Sequence, residues 1–234
     1  MSQKLIILGT GGSAYDILDT VEAINAQQPT WEPVGFLDDS RSVGSAYLDL
    51  PVLGGLRGAS RFAGHAFVNA IGSDKSYRRR PEILATTGIE RTQFATLVHP
   101  AASVSPRARL GCGVCVHFGV SVAGGVVVGD HVSFYPGGIV GHDSVIEDYV
   151  IVAPGAVISG FVHVERGSYL GAHSVIRQHL RVGTQALVGM GAVVVRDVAA
   201  EERVVGNPAR PLPRKQASGA NDCSGNALPN GVHA

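Results

Sequence analysis

Beginning at Val104 and stepping by six, the chain sets an apolar residue at sixteen successive positions, ending at Val194, without a slip. Four residues after each of these, the occupant is usually Ala, Val, Ser or Gly, and one residue after, glycine recurs at 111, 129, 141, 171, 183 and 189. Neither the 3.6-residue period of a helix nor the two-residue period of a strand produces such a pattern. A short fixed repeat is the sequence form of a solenoid, in which each unit buries its apolar side only by stacking on its neighbours. The period alone predicts a solenoid over residues 96–214.

Residues 1–95 follow other rules. "KLIILGTGGSAYDILDTVEAINA" reads as a short apolar strand, a glycine turn and a helix with apolar positions at Ile17, Leu18, Val21 and Ile24. "EPVGFLDD" reads as a second strand ending in two acids, and "AFVNAIGSDKSYRRR" as a third that runs into a turn. The alternation predicts a small Rossmann-like α/β unit with a parallel sheet, whose ligands sit at the carboxyl ends of the strands. The candidate contacts are then the 9–14 turn, Asp38 with Asp39, and Gly72-Ser73. Gly9-x-Gly11-x-x-Ala14 also fits a dinucleotide fingerprint. The unit is short for a full dinucleotide fold, so three readings stand: NAD, a mononucleotide or nucleotide-sugar, and a structural turn without ligand.

Composition narrows the class. Of 234 residues, 45 % are apolar and 16 % charged, which is globular. Lys+Arg and Asp+Glu balance at 19 each, so bulk charge offers nothing to nucleic acid or an anionic membrane. No apolar run reaches the length of a membrane span, and the N-terminus turns glycine-rich too early for a signal peptide. The expectation is a cytoplasmic protein. Cys112 and Cys115 form a C-x-x-C with no second pair, which leaves neither a zinc site nor a redox motif as the expected reading. The segment 215–234 has no periodicity and many small polar residues, and is expected to be disordered.

The six-residue repeat over about 98–214 resembles the hexapeptide-repeat acyltransferases. The resemblance implies a left-handed parallel β-helix in which three hexads make a coil, a homotrimer, and active sites between subunits. A front domain with a glycine turn, an "FLDD" strand end and an "IG…R" segment, joined to such repeats, resembles the bacterial sugar O-/N-acetyltransferases. These include UDP-4-amino-sugar and GDP-perosamine N-acetyltransferases and sialic acid O-acetyltransferases. The resemblance implies a nucleotide-sugar pocket of Gly11, Gly12, Ser13, Asp38, Asp39 and Gly72. The family turn commonly reads G-x-S-G-H, whereas Gly11 and Ser13 stand here in place of its serine and histidine. For acetyl-CoA it implies Gly160, Ala172 and Met190, and no metal. A family histidine that touches CoA is replaced here by Ile151. From Arg177 to Lys215 there are seven bases against three acids, a local excess suited to CoA phosphates or simply to a solvated end.

"GHDSVIEDY" carries the candidate chemistry. With coils of three hexads, Gly124 and Gly160 bracket His142, leaving room around an imidazole. Histidine titrates near neutral pH, so it suits a base that relieves an attacking amine or hydroxyl of its proton. A neighbouring carboxylate sets its tautomer, and the Gly160 N–H is a candidate donor to a tetrahedral oxyanion. On position alone His142 reads equally as a surface residue of a solenoid turn. The family's catalytic His-Glu/Asp motif maps onto His142 and Asp143. Neighbours on a strand point oppositely, so Asp143 assists only if a turn lets the two meet. A three-histidine zinc site, as in solenoid carbonic anhydrases, finds only His99 and His117 in stacking register. The leading expectation is N-acetylation of a nucleotide-linked amino sugar by acetyl-CoA for bacterial glycan synthesis. The alternatives are O-acetylation of a sugar or sialic acid, and a non-catalytic solenoid that senses a nucleotide.

Overall fold

A computed structural model describes residues 2–212; the expectation for the tail therefore falls outside the described residues. The front sheet joins β1 (Gln3–Leu8), β2 (Trp31–Leu37), β3 (Ala46–Tyr47), β4 (Leu50–Gly54) and β5 (Ala66–Asn69) in the order β3-β4-β2-β1-β5. All pairings are parallel except β3 with β4. The three expected strands and the helix α1 (Ser13–Gln27) are present. Sequence patterning passes over the β3–β4 pair, whose β3 has two residues and whose β4 is broken by Pro51 and Gly54, and over the six-residue helix α2 (Arg80–Ala85). The chain leaves β1 for β2 on one side and later returns to β5 on the other. This reversal opens a crevice at the carboxyl ends of β1 and β5.

The remainder is a stack of short strands, nearly all of two residues, in three parallel ladders, one of which ends in an antiparallel pair of Arg203–Val205 with Arg210–Pro211. Register pairs residues 18 apart, as in Val104, Val122, Val140, Ile158, Ile176 and Val194. The first residue of each strand faces outward and the second inward. From Val116 onward the stepped positions are buried, and the small residues four places later share the same core. Each buried Val or Ile contributes roughly 1.5–3 kcal/mol, so the coils are held by their axis. The walls turn at three corners, where every sixth residue from Gly113 to Gly191 has a φ between 54° and 77°. The fold is a left-handed parallel β-helix behind an α/β front domain. No described helix is long and apolar enough to cross a membrane.

The front sheet and helix lie against the ladder that runs Leu97, Cys115, Ser133, Ile151, and one hydrophobic core joins Leu5, Val21 and Val68 to Leu97 and Cys115. Burial pushes the Cys115 thiol up to about 12, which makes it an inert core residue. His117 is buried in this seam with Nδ1 2.8 Å from Thr20 Oγ1, and His131 is wedged between Phe94 and Tyr149. Burial lowers both imidazoles from 6.5 to about 4. Below pH 6.5 the unfolded chain therefore takes up protons that the folded chain refuses, so stability falls from about pH 6.5 to about pH 4 and then levels off. His117→Gln should remove about 2 kcal/mol of the stability lost between pH 7 and pH 5. Urea titrations at the two pH values measure this; an unchanged difference would mean that His117 charges in place.

Candidate active site

His142 and Asp143 occupy a corner of the solenoid, directly after the strand Ile139–Val140. Asp143 has φ 56°, in the left-handed region, and this turn is what lets adjacent side chains meet. His142 Nδ1 lies 2.9 Å from Asp143 Oδ2, which leaves Nε2, lying over Gly160, as the ring nitrogen that Asp143 does not engage. Both side chains are more than half exposed, at 61 % and 52 %. The buried hydroxyl of Ser144 donates to Ser159 O at 3.0 Å and accepts from Val162 N at 3.1 Å, fastening this turn to the next coil. Sequence reading missed Ser144 because serine is one of the ordinary small residues at that place in the repeat.

Half of the expected glycine bracket is present. A Cβ on Gly160 would stand 2.9 Å from His142 Nε2, so glycine is required for the imidazole to lie where it does. A Cβ on Gly124 would instead meet Ser105 Oγ at 3.5 Å and leave the imidazole untouched. The glycine that makes room in the preceding coil is Gly125, at φ 77°, whose Cβ would overlap the Asp143 carboxylate.

The front-domain candidates divide. Gly12, Ser13 and Gly72 line a groove of about 360 Å³ at the β1/β5 crevice, closed on the solenoid side by Tyr135, Ile151 and Tyr169. Ser13 Oγ and Tyr135 Oη are 2.5 Å apart, which ties the glycine turn to the solenoid. Ile151 is buried, with its Cδ1 2.8 Å from where a Gly72 Cβ would be. Gly11 sits in the same turn; its carbonyl accepts from Ala14 N at 3.0 Å and from Tyr47 Oη at 3.4 Å. Asp38 is fully engaged within the front domain, and Asp39 is engaged through one oxygen. Asp38 accepts from Thr10 N and Oγ1 at 2.7 Å and from Ser40 N at 2.7 Å. Burial alone would raise its carboxyl, but the bonds from Ser40 and Thr10 outweigh that and hold it below the usual range. Asp39 Oδ1 accepts from Leu56 N at 2.9 Å.

Ala172 and Met190 line a cleft of about 490 Å³ together with Tyr169, Leu187, Arg203 and Val205. Asp74, Ala153, Pro154 and Tyr169 line both hollows, so groove and cleft are continuous. The cleft is mostly apolar, which suits a pantetheine arm, with Arg203 and Asp74 as its charged lining residues. Of the basic excess, Arg203 is the base that lines it, whereas Arg196 lines a separate hollow with Glu165, Arg181 and Asp197. Arg214 and Lys215 lie outside the described residues. Among those residues, no group of three His, Cys, Asp or Glu is placed to hold a metal ion.

The structure does not bring Gly160 together with Ala172 and Met190 within one chain. Pro154, Ala172 and Met190 follow strands of the ladder that carries the front domain, while His142 and Gly160 follow strands of the next ladder. They occupy two different corners of the triangular coil. Neither His142 nor Asp143 lines the groove or the cleft.

A model of the PglD N-terminal domain matches residues 4–81, and one of the bacterial transferase hexapeptide (six repeats) matches residues 143–178. The acetyltransferase domain of PglB from Neisseria gonorrhoeae, solved with acetyl coenzyme A, is 32 % identical with a TM-score of 0.77, over 91 % of this chain and 100 % of that one. A histidine-to-asparagine mutant of perosamine N-acetyltransferase from Caulobacter crescentus, solved with CoA and GDP-perosamine, is 26 % identical with a TM-score of 0.78, over 90 % and 97 %. WeeI from Acinetobacter baumannii is 28 % identical with a TM-score of 0.74, over 90 % and 100 %. The acyl-[acyl-carrier-protein]–UDP-N-acetylglucosamine O-acyltransferase of Pseudomonas aeruginosa is 35 % identical over 98 residues. The chain spans 38 % of the length of that curated relative. A β-helix with this front domain, matched end to end by the PglB domain, places the chain in the hexapeptide-repeat family of bacterial sugar acetyltransferases.

Proposed function

We propose that the protein transfers the acetyl group of acetyl-CoA to the amino group of a nucleotide-linked sugar, with His142 as general base. The observation that carries this reading is the imidazole held over Gly160 with Nδ1 bonded to Asp143, so that Nε2 is left as the acceptor. His142 takes the proton of the attacking amine as the C–N bond forms at the acetyl carbonyl. When the tetrahedral centre collapses, the C–S bond breaks and the imidazolium returns that proton to the departing thiolate, giving amide and free CoA. Asp143 accepts from Nδ1 throughout, fixing the tautomer of the neutral ring and pairing with the imidazolium while it exists. A nucleotide-sensing solenoid has no use for such a pair. Incubation with acetyl-CoA and a panel of UDP-, GDP-, dTDP- and CMP-amino sugars, followed by mass spectrometry, tests the reading; no acetylated product from any of them would reject it. O-acetylation is the second reading, favoured by the O-acyltransferase likeness, and the corresponding hydroxy sugars in the same assay distinguish the two.

The groove binds the nucleotide-sugar through Gly11, Gly12, Ser13 and Gly72, and the cleft binds acetyl-CoA along Ala172 and Met190. With Asp38 and Asp39 already bonded within the front domain, they shape the glycine turn and the loop beyond β2. Arg203→Ala should raise the Michaelis constant for acetyl-CoA more than for its dephospho form, and an equal effect on both would remove the phosphate contact. Because base and cleft lie at different corners, one chain's His142 serves a groove formed by another, and Gly160 belongs to that shared site. The assembly expected is a homotrimer. Light scattering checks it: a monomer with full activity would leave the base without a substrate.

A further inference from the structure

Phe161 stands one coil beyond Asp143, at the same corner and in the same left-handed conformation, with φ 57°. That conformation suits glycine and disfavours a bulky side chain, and half of the fourteen corner positions from 113 to 191 are indeed glycine. Where an aromatic ring does occupy such a corner, burial can offset the strain. Tyr149 stacks on His131 with centroids 4.9 Å apart and packs on the front-domain core. Phe161 finds no such core within its own chain, where it is 48 % exposed.

What Phe161 does touch is the base. Its ring meets the His142 imidazole edge to face, with centroids 4.9 Å apart and planes at 87°. On its other side it stacks on His179 at 4.9 Å and 8°. Phe161 N also donates to His142 O at 2.9 Å, fixing backbone to backbone. The imidazole thus has a carboxylate on one nitrogen, a glycine beneath and an aromatic wall at its side. Strained residues that folding does not explain collect where function demands a fixed geometry. An exposed histidine otherwise samples several rotamers, and the one present here bonds Asp143 and sets Nε2 over Gly160.

We propose that Phe161 is a positioning residue that holds His142 in its working rotamer, itself backed by His179. The proposal rests on His142 being the base. Phe161→Gly relieves the backbone strain while removing the wall. It should therefore leave the melting temperature unchanged or raised and the trimer intact. It should lower kcat by up to about 10²-fold with little change in the Michaelis constant for acetyl-CoA. The His142 ring resonances, assigned by comparison with His142→Ala, should lose the ring-current shift of a single rotamer. Phe161→Tyr keeps the ring and should restore most of kcat, and His179→Ala should give a smaller loss. An unchanged kcat in Phe161→Gly would overturn the proposal, as would dissociation of the trimer, which would make Phe161 an interface residue. If His142→Ala itself keeps its turnover, the base assignment fails first, and the two failures are told apart.

Discussion

His142→Ala is expected to lower turnover by roughly 10²–10⁴-fold, the usual contribution of a positioned base, with acetyl-CoA affinity close to that of the unmodified protein. The two effects separate because they arise at different corners of the coil. The cleft is built from Tyr169, Ala172, Leu187 and Met190, and none of these depends on the imidazole. The base acts only as the nucleophile's proton is lost, so its removal is felt in the transition state and not in cofactor binding. Asp143→Asn should cost less than His142→Ala, since an amide oxygen still accepts from Nδ1 and keeps the tautomer. Steady-state kinetics with calorimetric acetyl-CoA binding check both. A His142→Ala protein with near-normal turnover on its best substrate would make His142 a scaffold residue.

Gly141→Ala should have the largest effect on stability of any small change at this site. The new Cβ would lie 2.5 Å from Gly160 N and 2.5 Å from Ser159 C, which are backbone atoms of the next coil. They retreat only if the coils part, and Gly141 N must then lose its 2.7 Å bond to Ile158 O. Overpacking of this kind costs about 1–3 kcal/mol, and turnover should fall with it because His142 and Gly160 move apart. Two controls locate the cause. Gly124→Ala places its Cβ no nearer than 3.5 Å to any neighbour and should be close to neutral. Gly160→Ala strikes the far end of the His142 side chain, which can swing away. It should lose activity with little loss of stability. Chemical denaturation alongside activity resolves the three, and a Gly141→Ala protein as stable as Gly124→Ala would contradict the close coil contact.

The period of six made the solenoid legible, because sixteen apolar residues in step admit no other packing than a stack. The front sheet was legible at β1, α1, β2 and β5, where apolar runs or helical spacing stand out. The β3–β4 pair was not, since β3 has only two residues and β4 carries a proline and ends on a glycine. A further signal was present in the chain. Glycine recurs in steps of six at 113, 119 and 125, and again at 137, 155, 167 and 191. It marks the left-handed corners, and Asp143 falls on that series. The meeting of His142 with Asp143 therefore lay in the sequence for a reader who kept the phase.

The sequence by itself determined the repeat, the two-part architecture, and the residue types that the chemistry needs. Only the tertiary structure decided which of them share a place. Asp38 and Asp39 follow a strand as expected, yet Asp38 gives both oxygens to Thr10 and Ser40, while Asp39 gives one to Leu56 N and stays exposed. Gly160 shares a column with His142, while Ala172 and Met190 share another corner. Tyr135 and Tyr169 enter the groove from the solenoid, more than a hundred residues from Ser13 along the chain. Periodicity reports which face of each unit is buried, because burial acts on every unit alike. It carries no record of which distant surfaces meet, since that depends on how the front domain docks and how the ladders turn at their corners.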